Sequence, residues 1–323
     1  MLIPGGPLKS FRRIPAGDLD SASLKHEMET YGYVFIQDLV PKGDLEQLLG
    51  AMTGIASDEG WMMEGAAPSE RIVNPAMACF EPDPRYKQAA NRAFRLERLH
   101  ALTHHPVLID VMKRLVGPHL LVHPKPIARM IFPKHEAALF HAHQDHSGIG
   151  GSSDSYTAWL PLHDCAQGQG TLEIMEGSHL FGLQCADGYI RPETAQGGDW
   201  AGGQINAGDV AIFHSLTVHS STLSTSNQLR CSVDFRFQSY DKAVSPLEIV
   251  FPNTGKGGRT WEATYADWKS NDLKYYWRDL PLRLKPSVAE LAAQAEKADS
   301  PAKRLRYTTI LELIEREIPM LVQ

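Results

Sequence analysis

Cysteine is scarce in this chain. Four occur among 323 residues, at 79, 165, 185 and 231, and no two form a CxxC pair. That excludes a zinc–thiolate site and a disulfide scaffold. Isolated thiols are the expectation for a protein kept in a reducing cytoplasm. Long apolar runs are absent too. No stretch of about 18 apolar residues occurs, so no membrane span is expected. The N-terminus, "MLIPGGPLKSFRR", lacks the apolar core of a signal peptide. Positive charge is not in excess: 32 Lys and Arg stand against 38 Asp and Glu, a formal net charge of −6. The charges are spread without a basic stripe, so no nucleic-acid partner is expected. Internal repeats and low-complexity tracts are also missing.

What is present suits a globular fold. The chain is 43% hydrophobic, enough for a substantial core. "DLDSASLKHEMETYG" has helical spacing and stops at a Gly, and "YVFIQDLV" follows as a strand. "GDLEQLLGAMTGI" reads as a helix. Residues 61–83 are irregular, with three prolines among them. "PRYKQAANRAFRLERLHALTHH" and "PVLIDVMKRLVG" read as two helices, the second closed by Gly117. From about 118 to 240 the pattern changes to short apolar runs between Gly, Pro and Ser clusters: "HLLVH", "ARMIF", "LFHAHQD", "TAWLPLHD", "GTLEIME", "DVAIFHSL" and "LRCSVDFRFQ". Short strands at this spacing predict a β sandwich or barrel. The Gly-rich stretch 181–207 reads as a long loop of the lid or binding type. About 260–316 returns to helix. The reading is one domain, 1–323, mainly β with flanking helices at both ends.

The stretch "HAHQDH", 141–146, concentrates metal-ligand chemistry. On a strand, alternate side chains share a face. His141, His143 and Asp145 then point one way and Gln144 the other. His143 and Asp145 are spaced to hold one metal ion together. A third ligand must come from elsewhere, and "GDVAIFHSLTVHSS" offers His214 and His219. Two histidines and one carboxylate form the facial triad of non-haem Fe(II) oxygenases, which leaves positions open for co-substrate and O2. Arg230 follows His219 by eleven residues on the next expected strand. A guanidinium there suits the far carboxylate of a dicarboxylate co-substrate.

With these residues in place, the chain resembles the phytanoyl-CoA dioxygenase family of Fe(II)/2-oxoglutarate-dependent oxygenases. The matching pieces are "HQD", "TAWLPL", "GTLEIMEGSH" and "GDVAIFHSLTVHSSTLSTSNQLR", in the family's order over about 141–240. The start around "YGYVFI" is similar as well, whereas the helices after about 260 match no family feature. The resemblance implies a double-stranded β-helix, a cupin-like jelly roll of two sheets. It implies iron held by His143, Asp145 and His219, with 2-oxoglutarate anchored by Arg230 and assisted by Ser221. Ser232 shares a strand face with Arg230 and is a further candidate. Trp159 matches a family tryptophan near the co-substrate, and would equally serve as a core aromatic. His214 aligns with a position in the strand before the distal ligand. His179 belongs to the "GSH" turn.

The implied activity is hydroxylation of a small molecule, with 2-oxoglutarate and O2 converted to succinate and CO2. Desaturation, ring formation, epimerisation and endoperoxide formation use the same cofactors. A metal-binding jelly roll without turnover is the reading from another class. The intact Asp145 argues against halogenation, because related halogenases vacate that position. His141 is a candidate to line the substrate pocket, and His146 lies past the ligand pair. Arg129, on the preceding strand, faces either an anionic substrate or a salt-bridge partner. Residues 61–83 and 181–207 are the candidate substrate-shaping segments. The C-terminal helices serve as a dimer contact, a cover for the barrel or a lid, and the aromatic run "WEATYADWKSNDLKYYW" is expected to pack on the barrel.

Overall fold

The computed structural model describes residues 8–136, 141–185, 189–252 and 260–321. The N-terminal part carries β1 (Lys9–Ser10), β2 (Arg13–Pro15), α1 (Ser21–Tyr31), β3 (Tyr33–Gln37), α2 (Lys42–Asp58), α3 (Pro84–Phe94), α4 (Glu97–Thr103) and α5 (Pro106–Val116). The middle carries β4 (Leu120–Val122), β5 (Ile127–Ile131), α6 (His146–Ile149), β6 (Ser155–Pro161), β7 (Leu172–Met175), α7 (Pro192–Gln196), β8 (Trp200–Gly202), β9 (Val210–His214), β10 (His219–Ser221) and β11 (Arg230–Ser239). The C-terminal part adds β12 (Ala243–Val244), α8 (Pro246–Ile249), α9 (Trp261–Tyr265), β13 (Arg283–Leu284), α10 (Val288–Glu296) and α11 (Pro301–Glu317). Among the described residues no helix is long and apolar enough to cross a membrane.

Two sheets form the jelly roll. The larger runs β2-β3-β9-β6-β11, with β4 and β5 both laid along β11. The smaller runs β1-β8-β7-β10. Strand alternation divides the larger sheet's side chains between two cores. Val34, Ile36, Val210, Ile212, Ala158 and Leu160 face outward into the cluster shared with α2, α3 and α5. Tyr33, Phe35, Ala211, Phe213 and Trp159 face inward and meet Leu172, Ile174 and Ala201 of the smaller sheet. Burial on both faces explains why these strands read as nearly continuous apolar runs. β11 departs from that rule. Cys231, Val233, Phe235 and Phe237 enter the outer core, while Arg230, Ser232, Asp234, Arg236 and Gln238 are also buried, on the inner face.

Local signals act where the sequence placed them. Asp20 accepts from the Ser23 amide at 2.6 Å and caps α1. Gly32 ends that helix at φ 78°, and a Cβ there would sit 2.4 Å from His179 Nδ1. The turn is therefore reserved for glycine on both counts. His179 packs against it, in the structural role expected of the "GSH" turn.

Four expectations need correction. "HAHQD" is not a strand. Its first two partners in "LFHAHQD", Leu139 and Phe140, lie outside the described residues. His143 makes a single antiparallel bridge with His219, and Asp145, at φ −57° and ψ −34°, already opens α6. The expected helix over residues 84–105 is two, because Leu96 takes an extended conformation with ψ 115° between α3 and α4. The stretch 181–207 is not a bare loop: it contains α7 and β8, and β8 joins β1 to β7. The aromatic run 261–277 is helical only over α9. Beyond it, burial of Trp268 and Trp277 in one cluster sets the path instead of helical periodicity.

Candidate metal centre

The centre begins with a backbone pairing. His143 N donates to His219 O, and His219 N donates to His143 O, both at 3.0 Å. Two histidines 76 positions apart are thereby fixed opposite each other, with ring centroids 4.2 Å apart. Each Nδ1 lies beside a backbone carbonyl, His141 O at 2.8 Å and Thr217 O at 3.0 Å. A carbonyl only accepts, so each Nδ1 is the donor, and Nε2 is the ring nitrogen left for a metal ion. The turn at Asp145 then folds its carboxylate back. Asp145 Oδ1 lies 3.8 Å from His143 Nε2 and 3.6 Å from His219 Nε2. One ligand atom from each of the three residues falls within 4.8 Å of the others, a set able to hold a metal ion.

The other carboxylate oxygen is held from behind. Asp145 Oδ2 accepts from Thr157 Oγ1 at 2.6 Å and from Arg236 Nη2 at 3.3 Å. Burial alone would raise this carboxyl's pKa. Arg236, His219, His143 and the Thr157 hydroxyl outweigh burial and hold it below the usual carboxylate range. Burial and the neighbouring His143 push His219 down to about 4. A charged Asp145 carboxylate beside a neutral His219 imidazole is the protonation state a divalent ion requires.

Arg230 lines the same small cavity as the three ligands, together with Trp159, Leu172, Phe213 and Ser221. The guanidinium is 3% exposed. Its Nη1 donates to Gly170 O, and its Nε has no partner among the described residues. It sits 5.8 Å from the Trp159 ring centroid. Burial lowers its pKa to about 10. Ser232 Oγ is likewise buried and without a partner among the described residues. A buried guanidinium with an open N–H among the described residues suits an anionic ligand in this cavity. Ser232 is buried beyond the residues that line it.

The remaining sequence candidates separate clearly. Ser221 lines the cavity. Arg129 lines it too, and its guanidinium forks onto Asp234 at 3.0 and 3.2 Å, so it makes the inter-strand salt bridge while facing the cavity. His214 takes the Leu216 amide on Nδ1 at 3.1 Å and stays apart from the metal ligands. His141 does not line this cavity. It is exposed, with its ring edge-on to Tyr189 at 6.0 Å. His146 is the first residue of α6, and its amide bonds Ser215 O at 3.0 Å.

Two residues that matter here were missed. Arg236 was detectable: it is the fourth in the run of polar residues at alternate positions that begins at Arg230. Gln144 was placed only as pointing away from the ligands. It is fully buried. Its Nε2 donates to Gly182 O at 2.8 Å and Leu216 O at 2.6 Å, and its Oε1 accepts from the amides of Gln184 at 2.7 Å and Cys185 at 3.2 Å. The residue between two ligands thus staples the 182–185 segment to the turn before His219. No local pattern announces such partners.

Comparison with known proteins agrees with this geometry. Residues 28–232 match the family described as phytanoyl-CoA dioxygenase (PhyH). A 1-deoxypentalenic acid 11-beta-hydroxylase of Streptomyces arenae is 25% identical over 240 residues, covering 68% of this chain and 81% of that protein. Its counterpart from Streptomyces exfoliatus is 27% identical over 158 residues, covering 42% of this chain and 56% of that protein. Among solved structures, the non-haem α-ketoglutarate-dependent epimerase SnoN from nogalamycin biosynthesis superposes with TM-score 0.52 at 19% identity, over 75% of this chain and 93% of SnoN. The carbocyclase SnoK from the same biosynthesis gives TM-score 0.52 at 21% identity, over 74% and 89% of the two chains. At these identities the two structures establish the shared jelly-roll fold.

Proposed function

The chain belongs to the phytanoyl-CoA dioxygenase family of Fe(II)/2-oxoglutarate-dependent oxygenases, and from that premise we propose that it hydroxylates a small organic molecule. One observation supports the assignment to particular residues: His143, Asp145 and His219 converge in a cavity that the buried Arg230 also lines. The two hydroxylases among its relatives support the reaction type. The four free cysteines fit a cytoplasmic protein.

In this reading His143, Asp145 and His219 would hold Fe(II), which with 2-oxoglutarate and O2 would supply the oxidising power, succinate and CO2 being the co-products. The protein's own groups fix the geometry. Thr157 and Arg236 hold the Asp145 carboxylate charged and oriented. Arg230 would take the distal carboxylate of 2-oxoglutarate, with Ser221 and Ser232 as the hydroxyls to assist it and Trp159 as a wall. Leu172 and Phe213 give the cavity apolar lining. Asp145 occupies the position that a halogenase leaves open for halide.

The test is anaerobic. Fe(II) and 2-oxoglutarate are added to metal-free protein and the visible spectrum is recorded. A weak charge-transfer band that disappears in Asp145→Ala supports the proposal. Bound iron without a band removes the co-substrate assignment, and no iron uptake removes the metal site. A metal-binding protein without turnover would release no succinate under O2.

A further inference from the structure

A second and larger cavity, about 320 Å3, shares Asp145 and Arg129 with the first. It lies where α3, β5, α6 and α8 meet at the mouth of the jelly roll. We propose that it is the substrate chamber, and that its substrate is a largely apolar organic acid with one anionic group. The proposal rests on the oxygenase reading above.

The apolar part follows from the walls. Tyr86, Phe94, Ile127 and Ile149 line the cavity, together with Phe80 and Ala90. The volume lies at the lower end of the range for small-molecule sites, room for one compact organic ligand.

The anionic group follows from charge. Lys125, Arg129 and Arg236 line the chamber. Two of these share one acid: Arg129 forks onto Asp234 at 3.0 and 3.2 Å, and Arg236 Nη1 lies 2.8 Å from the same carboxylate. Lys125 Nζ donates to Leu247 O and Glu248 Oε1, each at 3.0 Å, which leaves one of its three N–H groups. Asp145 belongs to the metal. In the loaded protein Fe(II), the 2-oxoglutarate dianion, Asp145 and Arg230 cancel one another. Among the described residues, Lys125, Arg129 and Arg236 then face two buried carboxylates, Asp234 and Glu248. All of these except Arg129 are at least nine-tenths buried. Glu81 stands at the exposed rim, where solvent screens it. An uncompensated buried cation is costly, and a substrate anion removes the cost.

The test uses two fluorescent dyes with a common apolar body, anilinonaphthalene sulfonate and neutral phenylnaphthylamine. They are titrated into protein loaded with redox-silent Zn(II) and 2-oxoglutarate. The sulfonate is expected to bind at least tenfold more tightly. Ala90→Trp, which fills the chamber from α3, should abolish saturable binding of both dyes. Lys125→Met should remove the preference and Lys125→Arg should retain it. If Lys125→Met does not fold, Ala128→Glu serves instead and should invert the preference. Equal affinities in the wild type overturn the anionic class. Saturable binding unchanged by Ala90→Trp overturns the chamber. The same preparations with Fe(II), without O2, separate the two proposals. Absence of the 2-oxoglutarate band sinks the oxygenase reading whatever the dyes do. A band with dye binding indifferent to Ala90→Trp sinks the chamber alone.

Discussion

His143 and His219 are joined by reciprocal backbone hydrogen bonds of 3.0 Å while their side chains converge on Asp145. The backbone pairing, and not the strand alternation expected from "HAHQD", sets the ligand spacing. Asp145→Ala removes the carboxylate but leaves that pairing intact. Iron-dependent turnover is expected to vanish with the fold retained. Succinate release and far-UV circular dichroism on the same sample check both halves.

Arg236 reaches the candidate metal site through Asp145 Oδ2. Arg236→Gln removes the positive charge that helps keep the carboxylate ionised against burial. Partners behind a metal ligand are typically worth about 10–100-fold in metal affinity. A loss in that range, measured by competition with a chelator, is the expected outcome. Unchanged affinity would leave Thr157 as the sole effective support.

Arg230→Ala should raise the 2-oxoglutarate requirement well over tenfold, since a lost charge-assisted pair is worth about 1.5–3 kcal/mol. The Michaelis constant for 2-oxoglutarate checks it. Arg230→Lys should fall between, because an ammonium keeps the charge and loses the planar fork. Insensitivity in both variants would mean another group anchors the co-substrate.

The outcome shows which parts of the molecule a sequence exposes. β3, β6, β9 and β11 were legible because both faces are buried and the apolar runs are bounded by turn residues. The polar alternation of β11 was equally visible, and Arg236 could have been read from it. Asp145 was assigned for its chemistry, but its turn was not foreseen, because short polar residues serve strand ends and turns alike. Gln144 illustrates the limit. Its four partners come from positions 182, 184, 185 and 216, and contacts of that range leave no periodic trace. The turns after α9 escaped for a similar reason: aromatic burial against Phe94 and Leu121, far away in sequence, overrode local helix preference.

Gln144→Leu preserves most of the volume and strands two carbonyls and two amides. Each buried group left unpaired costs about 1–3 kcal/mol. Amide hydrogen exchange at Gln184 and Cys185 should accelerate at least tenfold, because those amides lose their acceptor. Exchange in α10, remote from the staple, supplies the internal reference. Equal acceleration in both places would indicate global destabilisation and not a local clamp.

Acid should weaken the fold before carboxylates titrate. Burial pushes His100 and His163 down to about 4. In the unfolded chain both return to about 6.5. Between these values the unfolded state binds more protons, so stability is lost as pH falls from about 6.5 towards 4. His163 shows the mechanism: its Nε2 accepts the Cys231 amide at 3.1 Å, a bond that protonation forbids. Each group can contribute a slope of about 1.4 kcal/mol per pH unit at most. Urea unfolding at pH 7, 6 and 5 should show the decline, and His163→Gln should flatten it. A slope unchanged in the variant would assign the acid sensitivity elsewhere.

Trp277 decides what the C-terminal segment is for. Its side chain is fully buried, with its ring centroid 5.6 Å from that of Trp261. The same cluster contains Phe94 from α3 and Leu121 from β4, together with Ile310 and Ile314 from α11. The segment therefore packs against the edge of the larger sheet through the end of the helix that also walls the proposed chamber. Trp277→Ala should cost about 3–5 kcal/mol, the usual range for deleting a buried aromatic ring. If the segment is part of the cooperative unit, urea unfolding followed by far-UV circular dichroism should shift as one transition. If it is a separable appendage, a minor early transition should appear and the main one should stay in place. The first result would tie the C-terminal helices to the jelly roll energetically. It would also make α3 sensitive to them, so that dye binding at the chamber should weaken in Trp277→Ala without any change in iron uptake.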